Sequence, residues 1–141
     1  MGQGAFLAGH SDGNQAHPIK RAVWVKEKIL GDPPPPPPPN VPDLDPDAPG
    51  FENLTLKEQI EKHRESPSCF DCHAGIDPFG IAFERYDAGG LLRDERQGKP
   101  VDDTSILPDG TQVQGLAGLK SYLLDSKREA VIHSLAEHLF A

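Results

Sequence analysis

The sequence is poor in aromatic residues and in cysteine. Its 141 residues include six Phe, two Tyr, one Trp, two Cys and a single Met, against 15 Pro and 14 Gly. A chain of this length with so much turn-forming sequence has little apolar material for a core. We therefore expect a staple, a metal ion, a cofactor or a neighbouring domain to contribute to its stability.

Positive charge is also scarce. The 14 Lys and Arg residues are outnumbered by 22 Asp and Glu, which gives a net charge of −8. An acidic surface repels a phosphate backbone, which argues against a nucleic-acid partner. No apolar run approaches the ~18 residues of a membrane span, and the opening MGQGAFLAGHSDGN lacks the basic and apolar regions of a signal peptide. No acid–base pair or nucleophile stands out, so we expect a domain that is not an enzyme.

Residues 1–50 are expected to form an N-terminal helix plus a polyproline strap or linker. The stretch HPIKRAVWVKEKILG predicts a helix that begins at Pro18 and ends at Gly31, because Pro suits a first turn and Gly a C-terminal cap. The seven consecutive prolines that follow favour a stiff polyproline II segment. Such a segment serves as a spacer, as a strap across its own domain, or as a ligand for an aromatic groove in a partner.

Residues 51–95 are expected to form two helices, one on either side of the two cysteines. In NLTLKEQIEKHRESP, Thr55 and Glu58 form a capping box at the start of the first of these helices. In DPFGIAFERYDAGG, we expect Asp77 to be the N-cap and Pro78 to occupy the first helical position.

Residues 96–141 are expected to contain a hairpin and two helices, the last of them truncated by the end of the chain. GKPVDDTSILPDGTQVQG is predicted to turn at residues 108–110, and GLAGLKSYLLD to be helical. Ser126 and Glu129 form a second capping box for the last helix. Its apolar residues are expected to face inward: Ile132, Leu135, Ala136 and Leu139. The predicted fold class is mostly α, with a polyproline II segment and a short irregular or β-hairpin insert.

The two cysteines are three residues apart and a histidine follows them directly, in SPSCFDCHAGIDPFG. A redox dithiol needs a βαβ setting, whereas Cys69 and Cys72 lie between predicted helices. A structural zinc site needs four ligands, so the pair would have to recruit two histidines, and none follows at finger spacing. The third chemistry for this pattern is covalent attachment of haem by C-x-x-C-H.

Haem attachment accounts for all three residues. Cys69 and Cys72 each form a thioether to one vinyl group, and His73 ligates the iron as the proximal ligand. Aromatic residues close in sequence are expected to line this single covalent haem c: Phe70, Phe79, Phe83 and Tyr86. The macrocycle would then supply the apolar surface that the chain lacks, and the architecture is that of a small cytochrome c-like helical haem domain.

The second axial position is open to several ligands. A methionine would raise the reduction potential, but the single methionine is Met1. His63 shares a helix face with Leu56 and Ile60 and is the first candidate, although it can equally be a core histidine or lie on the proximal side. The other candidates are His10, His17, His133, His138, or no protein ligand.

Three stretches of the chain resemble adjoining domains of unknown function in large multidomain proteins of planctomycetes and some other bacteria. The stretches are HPIKRAVWVKEKILGDPPPPPPPNVPDL, TLKEQIEKHRESPSCFDCHAGIDPFGIAFERYDAGGLLR and GKPVDDTSILPDGTQVQG. Such proteins often carry further cytochrome c-like modules, so the resemblance implies an exported haem protein and a last helix that continues past residue 141. Because covalent haem attachment occurs outside the cytoplasm, we expect a periplasmic or other extracytoplasmic location, with the export signal outside this chain.

The expected function is that of a monohaem c-type cytochrome domain that passes single electrons to or from redox partner domains or proteins. An open sixth position on the iron would move it toward peroxidase-like or gas-binding chemistry. Self-association that brings successive haems together is a further hypothesis. The alternative is a zinc-stapled interaction module, in which Cys69, Cys72 and two histidines bind the metal and the polyproline run binds the partner.

Overall fold

The structure, a computed structural model, describes residues 1–36, 50, 54–64, 70 and 72–140. Its α-helices are, in chain order, α1 (Gly4–Gly9), α2 (Pro18–Trp24), α3 (Leu56–His63), α4 (Asp77–Ile81), α5 (Gly115–Asp125) and α6 (Arg128–Phe140). Its strands are β1 (Glu95–Arg96), β2 (Lys99–Pro100), β3 (Thr104–Ile106) and β4 (Gln112–Gln114), which pair as the antiparallel hairpins β1–β2 and β3–β4. Helices predominate over strands in the described part of the chain, which confirms that the domain is mostly α.

Helix α2 begins and ends where local chemistry requires. Nδ1 of His17 accepts a hydrogen bond from the backbone N–H of Lys20 (3.2 Å), and Pro18 stands in the first turn, where its missing N–H has no intrahelical partner to lose. The chain continues beyond α2 as a π-helical turn, Val25–Ile29. Gly31 follows with φ of +65°, the left-handed conformation that ends helices. The predicted helix and its glycine cap are confirmed.

One apolar core draws on all three predicted segments of the chain. Its buried members include residues of α1, α2, α4, the turn after α4, the segment that follows β3, and α5: Leu7, Ala22, Phe79, Phe83, Leu107 and Leu119. A smaller cluster of Leu56, Ile60 and Ile81 joins α3 to α4. Helix α4, which follows the CxxCH pattern, is therefore packed from more than one direction.

A fully buried arginine ties the N-terminal helices to the turn that follows α4. The guanidinium of Arg21 donates hydrogen bonds to the carbonyl oxygens of Tyr86 and Asp87, both at 2.8 Å. It also donates to the carbonyls of Leu7 at 3.0 Å and Phe83 at 3.4 Å. Because a guanidinium offers five donors in one plane, it can pair with several carbonyls of two separate segments at once.

Helices α2 and α4 touch backbone to backbone at Gly80. A Cβ on Gly80 would overlap the carbonyl oxygen of Pro18, and it would lie 2.9 Å from that carbonyl carbon and 3.3 Å from Cβ of Ala22. Strand β3 also holds this helix, because the hydroxyl of Ser105 donates to the carbonyl of Pro78 at 2.7 Å. The position of α4 is thus fixed by buried contacts with two other elements.

The predicted hairpin is present, and a second one was not foreseen. In β3–β4, Ser105 pairs with Val113, and Gly110 in the predicted turn has φ of +85°. The β1–β2 hairpin turns through Gln97 and Gly98, with φ of +52° and +74°. Positive φ at both central residues is the type I′ pattern, and glutamine is a weaker signal for it than the usual Asn or Asp.

The prediction for α4 is wrong in its boundaries. Asp77 is the first helical residue rather than the N-cap, a position that Ile76 occupies, and the helix ends at Ile81. Phe83 therefore lies in the turn beyond α4. Beyond Ile81 the backbone makes turn bonds between residues three apart, such as the N–H of Tyr86 to the carbonyl of Phe83 at 2.9 Å, and the guanidinium of Arg21 donates to carbonyls of the same turn.

The last helix presents a different face from the one predicted. Ser126 is the C-cap of α5, and α6 begins at Arg128, so Ser126 does not cap α6. The residue that α6 buries is Ser134, whose hydroxyl donates to the carbonyl of Lys28 at 3.1 Å. Three of the apolar residues predicted to face inward are exposed: Ile132, Leu135 and Leu139. This hydrogen bond and the complete burial of Ser134 place the serine, and not the leucines, against the chain around Lys28.

The polyproline prediction lies mostly outside the described residues. Residues 33–36 belong to no helix or strand, and the rest of the run lies outside the description. Within the described ranges, no helix is both long and apolar enough to cross a membrane.

Candidate functional site around His73

The end of the CxxCH pattern lies on a helical turn that leads into α4. Phe70, Cys72 and His73 have helical backbone, and the N–H of Ala74 donates to the carbonyl of Phe70 at 2.9 Å. Cys72 is half-buried. Cys69, the first residue of the pattern, lies outside the described residues.

His73 and Asp77 form a hydrogen bond across the start of α4. Nδ1 of His73 lies 2.8 Å from Oδ1 of Asp77, and the side chain of Asp77 is completely buried. An ionised carboxylate only accepts hydrogen bonds, so a neutral His73 carries its proton on Nδ1 and keeps the lone pair on Nε2. That arrangement fixes the tautomer that a metal ligand requires.

His63 brings the end of α3 against His73. The two imidazole rings have centroids 5.1 Å apart and planes inclined by 73°, an edge-to-face contact. The capping box of Thr55 and Glu58 starts α3 as predicted. Leu56 and Ile60 on the same helix are buried. The pKa of His63 is lowered, chiefly by burial and further by the nearby imidazole of His73, whereas the carboxylate of Asp77 opposes this effect.

Arg64 completes the group on the other side of Asp77. Its Nε lies 3.7 Å from Oδ2 of Asp77, and that oxygen has no hydrogen-bond partner among the described residues. Burial raises the pKa of Asp77, whereas the hydrogen bond from His73 and the positive charge of Arg64 oppose the rise. The site is therefore a carboxylate held between an imidazole and a guanidinium.

The aromatic residues predicted to line a cofactor are divided between the surface and the apolar core. Phe70 is 52% exposed, whereas Phe79 and Phe83 belong to the apolar core. The ring of Phe83 packs near that of Phe6, with centroids 5.8 Å apart. Phe79 and Phe83 are thus buried by other side chains of this protein.

The other candidate axial histidines have contacts of their own. Nδ1 of His10 pairs with the carbonyl of Phe6 at 2.8 Å, and His17 caps α2. On α6, His133 pairs with Glu137 at 3.2 Å, and Nδ1 of His138 contacts the carbonyl of Ser134 at 2.7 Å. His63 is the candidate that the structure brings into ring contact with His73.

No group of three or more His, Cys, Asp or Glu side chains suited to hold a metal ion occurs among the residues that the structure describes. Cys69 lies outside the described residues, so the described part of the chain does not contain every predicted ligand. The zinc hypothesis and the haem hypothesis both depend on that residue.

Sequence reasoning missed the roles of Asp77 and Arg64. It assigned Asp77 to a helix cap because Pro78 follows it, which is a common N-terminal pattern. The signal that could have identified the pair is spacing, because His73 and Asp77 are four residues apart at the start of a helix. Nothing local indicated Arg64, which reaches Asp77 through the packing of α3 on α4.

Comparison with curated proteins and with solved structures gives no match. Residues 1–96 match the model of a family named PSCyt3, which is described as a protein of unknown function (DUF1588). The matched range covers α1 to α4, the CxxCH pattern and the His73–Asp77 pair. Because this range is more than half of the chain, the protein belongs to the PSCyt3 family.

Proposed function

We propose that this protein is a monohaem c-type cytochrome domain that carries single electrons. Cys69 and Cys72 attach the macrocycle through thioethers, and Nε2 of His73 is the proximal ligand of the iron. The family description assigns no activity, so the proposal stands on this chain's own residues. It implies that haem is attached outside the cytoplasm, hence an exported protein with redox partner domains or proteins.

The observation that carries the proposal is the hydrogen bond from Nδ1 of His73 to Asp77. Metal-bound histidines commonly donate their second ring N–H to a carboxylate or a carbonyl, which orients the ring and raises the basicity of the ligating nitrogen. His73 has this second partner already in place. The donor set therefore fits haem iron, which accepts an imidazole nitrogen beside two thioether attachments.

The haem, when bound, supplies a one-electron Fe(III)/Fe(II) couple. The residues of this chain hold and orient it. His63 is the candidate for the second axial ligand, because α3 ends against His73. Ring centroids 5.1 Å apart leave no room for a macrocycle between the two imidazoles, so this ligation requires the ring of His63 to move. An unchanged low-spin spectrum in His63→Ala would eliminate His63 from this role.

The test is the pyridine haemochrome spectrum of the protein, expressed with an export signal in a host that matures c-type haem. An α-band of the two-thioether type that survives acid-acetone extraction is the expected result. Cys72→Ala is the matched control, and we expect it to shift the α-band because only one thioether can form. A colourless wild-type protein that contains one zinc ion would overturn the proposal in favour of a zinc-stapled interaction module.

A further inference from the structure

The buried carboxylate of Asp77 is held rigidly beside His73. Its side chain is fully buried, and Oδ1 lies 2.8 Å from Nδ1 of the imidazole. Asp77 opens α4, whose backbone lies against Pro18 at Gly80 and is bonded through the carbonyl of Pro78 to Ser105. The position of the carboxylate is therefore set by the core of the protein.

Only one oxygen of this carboxylate has a hydrogen-bond partner among the described residues. Oδ1 faces His73, whereas the guanidinium of Arg64 approaches Oδ2 no closer than 3.7 Å at Nε. The negative charge thus acts mainly through the imidazole. A carboxylate in this position makes the opposite nitrogen, Nε2, a stronger electron donor than a backbone carbonyl would.

We propose that Asp77 is a positioning residue, which holds Nδ1–H of His73, presents Nε2 to the iron and lowers the reduction potential of the haem. The inference rests on the proposed function. Its electrostatic reason is that ferric iron carries one more positive charge than ferrous iron, so a fixed nearby anion stabilises the ferric state more. Asp77 thus shifts the one-electron equilibrium between the ferric and ferrous states, and neither state gains or loses a proton or a ligand.

The experiment compares the midpoint potentials of the wild-type holoprotein, Asp77→Asn and Asp94→Asn by spectroelectrochemistry. The asparagine in Asp77→Asn keeps the shape of the side chain without its charge. We expect a shift of about tenfold in the oxidation equilibrium toward the ferrous state, which is about 59 mV for one electron. Asp94 is the matched control, since it is an exposed carboxylate that forms an ion pair with Arg85, and its variant should keep the wild-type potential.

The outcomes separate this inference from the proposed function. A wild-type protein without covalent haem overturns the proposed function and the inference with it. Covalent haem with equal potentials in wild type and Asp77→Asn overturns the inference alone. If Asp77→Asn does not fold, the exchange rate of the His73 Nδ1 proton is measured by NMR in the wild-type ferrous protein. Slow exchange supports the hydrogen bond to Asp77, and exchange as fast as in a free imidazole overturns it.

Discussion

The backbone of Pro18 lies so close to Gly80 that no side chain fits between them. A Cβ on Gly80 would overlap the carbonyl oxygen of Pro18 and lie 2.9 Å from its carbonyl carbon. Backbone cannot rotate away as a flexible side chain can, so a larger residue must push α2 and α4 apart. This contact is where the N-terminal helices meet the helix that follows the CxxCH pattern.

We therefore predict that Gly80→Ala lowers the free energy of unfolding by about 1–3 kcal/mol, the usual cost of overpacking. The measurement is urea denaturation followed by circular dichroism. Gly9→Ala is the matched control, because nothing lies within 4 Å of a Cβ at Gly9 and this glycine is also helical. We expect that control to leave stability unchanged or to raise it by up to about 1 kcal/mol. Equal effects of the two substitutions would contradict the close contact.

A second prediction concerns the buried guanidinium of Arg21. Arg21→Lys keeps the charge but loses the planar set of donors that pairs carbonyls of α1 and of the turn after α4. We expect a loss of about 3 kcal/mol in the free energy of unfolding, since hydrogen bonds to a charged group contribute about 1.5–3 kcal/mol each. Arg85→Lys, at a half-exposed arginine, should change stability by no more than about 0.5 kcal/mol. An equally small effect of Arg21→Lys would show that the hydrogen bonds of Arg21 contribute little to the free energy of unfolding.

Features with a local chemical cause could be predicted from the sequence. The capping box of Thr55 and Glu58, the glycine end at Gly31 and the hairpin turn at Gly110 each depend on a few neighbouring residues. They are present because short-range hydrogen bonds and allowed φ angles decide them. The mostly α-helical class follows from the same local signals.

Features decided by tertiary contacts could not be predicted in this way. The turn that follows α4 is held by the guanidinium of Arg21, which is some 60 residues earlier in the chain. The contact of His63 with His73 depends on the packing of α3 on α4. The CxxCH pattern indicated which residues to examine, but the partner of His73, Asp77, emerged only from the folded arrangement.

A third prediction concerns the hydrogen bond between Tyr122 and Asp109. The phenol donates to Oδ2 of Asp109 at 2.6 Å, and this bond is the main cause that lowers the pKa of Asp109 to about 2. A carboxyl whose pKa is lower in the folded state stabilises the protein above its unfolded pKa of ~3.9. That contribution is lost as the pH falls toward about 2.

We therefore expect wild type to be more stable than Tyr122→Phe above pH ~4 and this difference in Tm to shrink as the pH falls toward about 2. Thermal denaturation over this pH range measures it. Tyr86→Phe is the matched control, because the contact that Tyr86 makes with Arg21 uses its backbone carbonyl. That variant should follow the wild-type pH dependence. If the difference in Tm between wild type and Tyr122→Phe stays the same at every pH, the hydrogen bond of Tyr122 is not coupled to the ionisation of Asp109.

The face of α6 that is buried differs between the sequence prediction and the structure. The sequence pattern assigned Leu135 and Leu139 to the core, whereas the structure exposes both and buries Ser134 against the chain near Lys28. Ser134 is fully buried, and its Cβ lies 3.4 Å from the place that a Cβ on Gly31 would take, so this residue packs against the chain at Gly31 as well.

We predict that Ser134→Leu lowers the free energy of unfolding by about 2 kcal/mol, because it overpacks this contact and removes the hydrogen bond to Lys28. Leu135→Gln and Leu139→Gln are the matched controls on the exposed face, and each should change stability by no more than about 0.5 kcal/mol. Chemical denaturation of the three variants measures these changes in the free energy of unfolding. If the glutamine variants are the destabilised ones and Ser134→Leu is tolerated, α6 packs through the face that its apolar periodicity predicted, and its contact with the chain near Lys28 does not form.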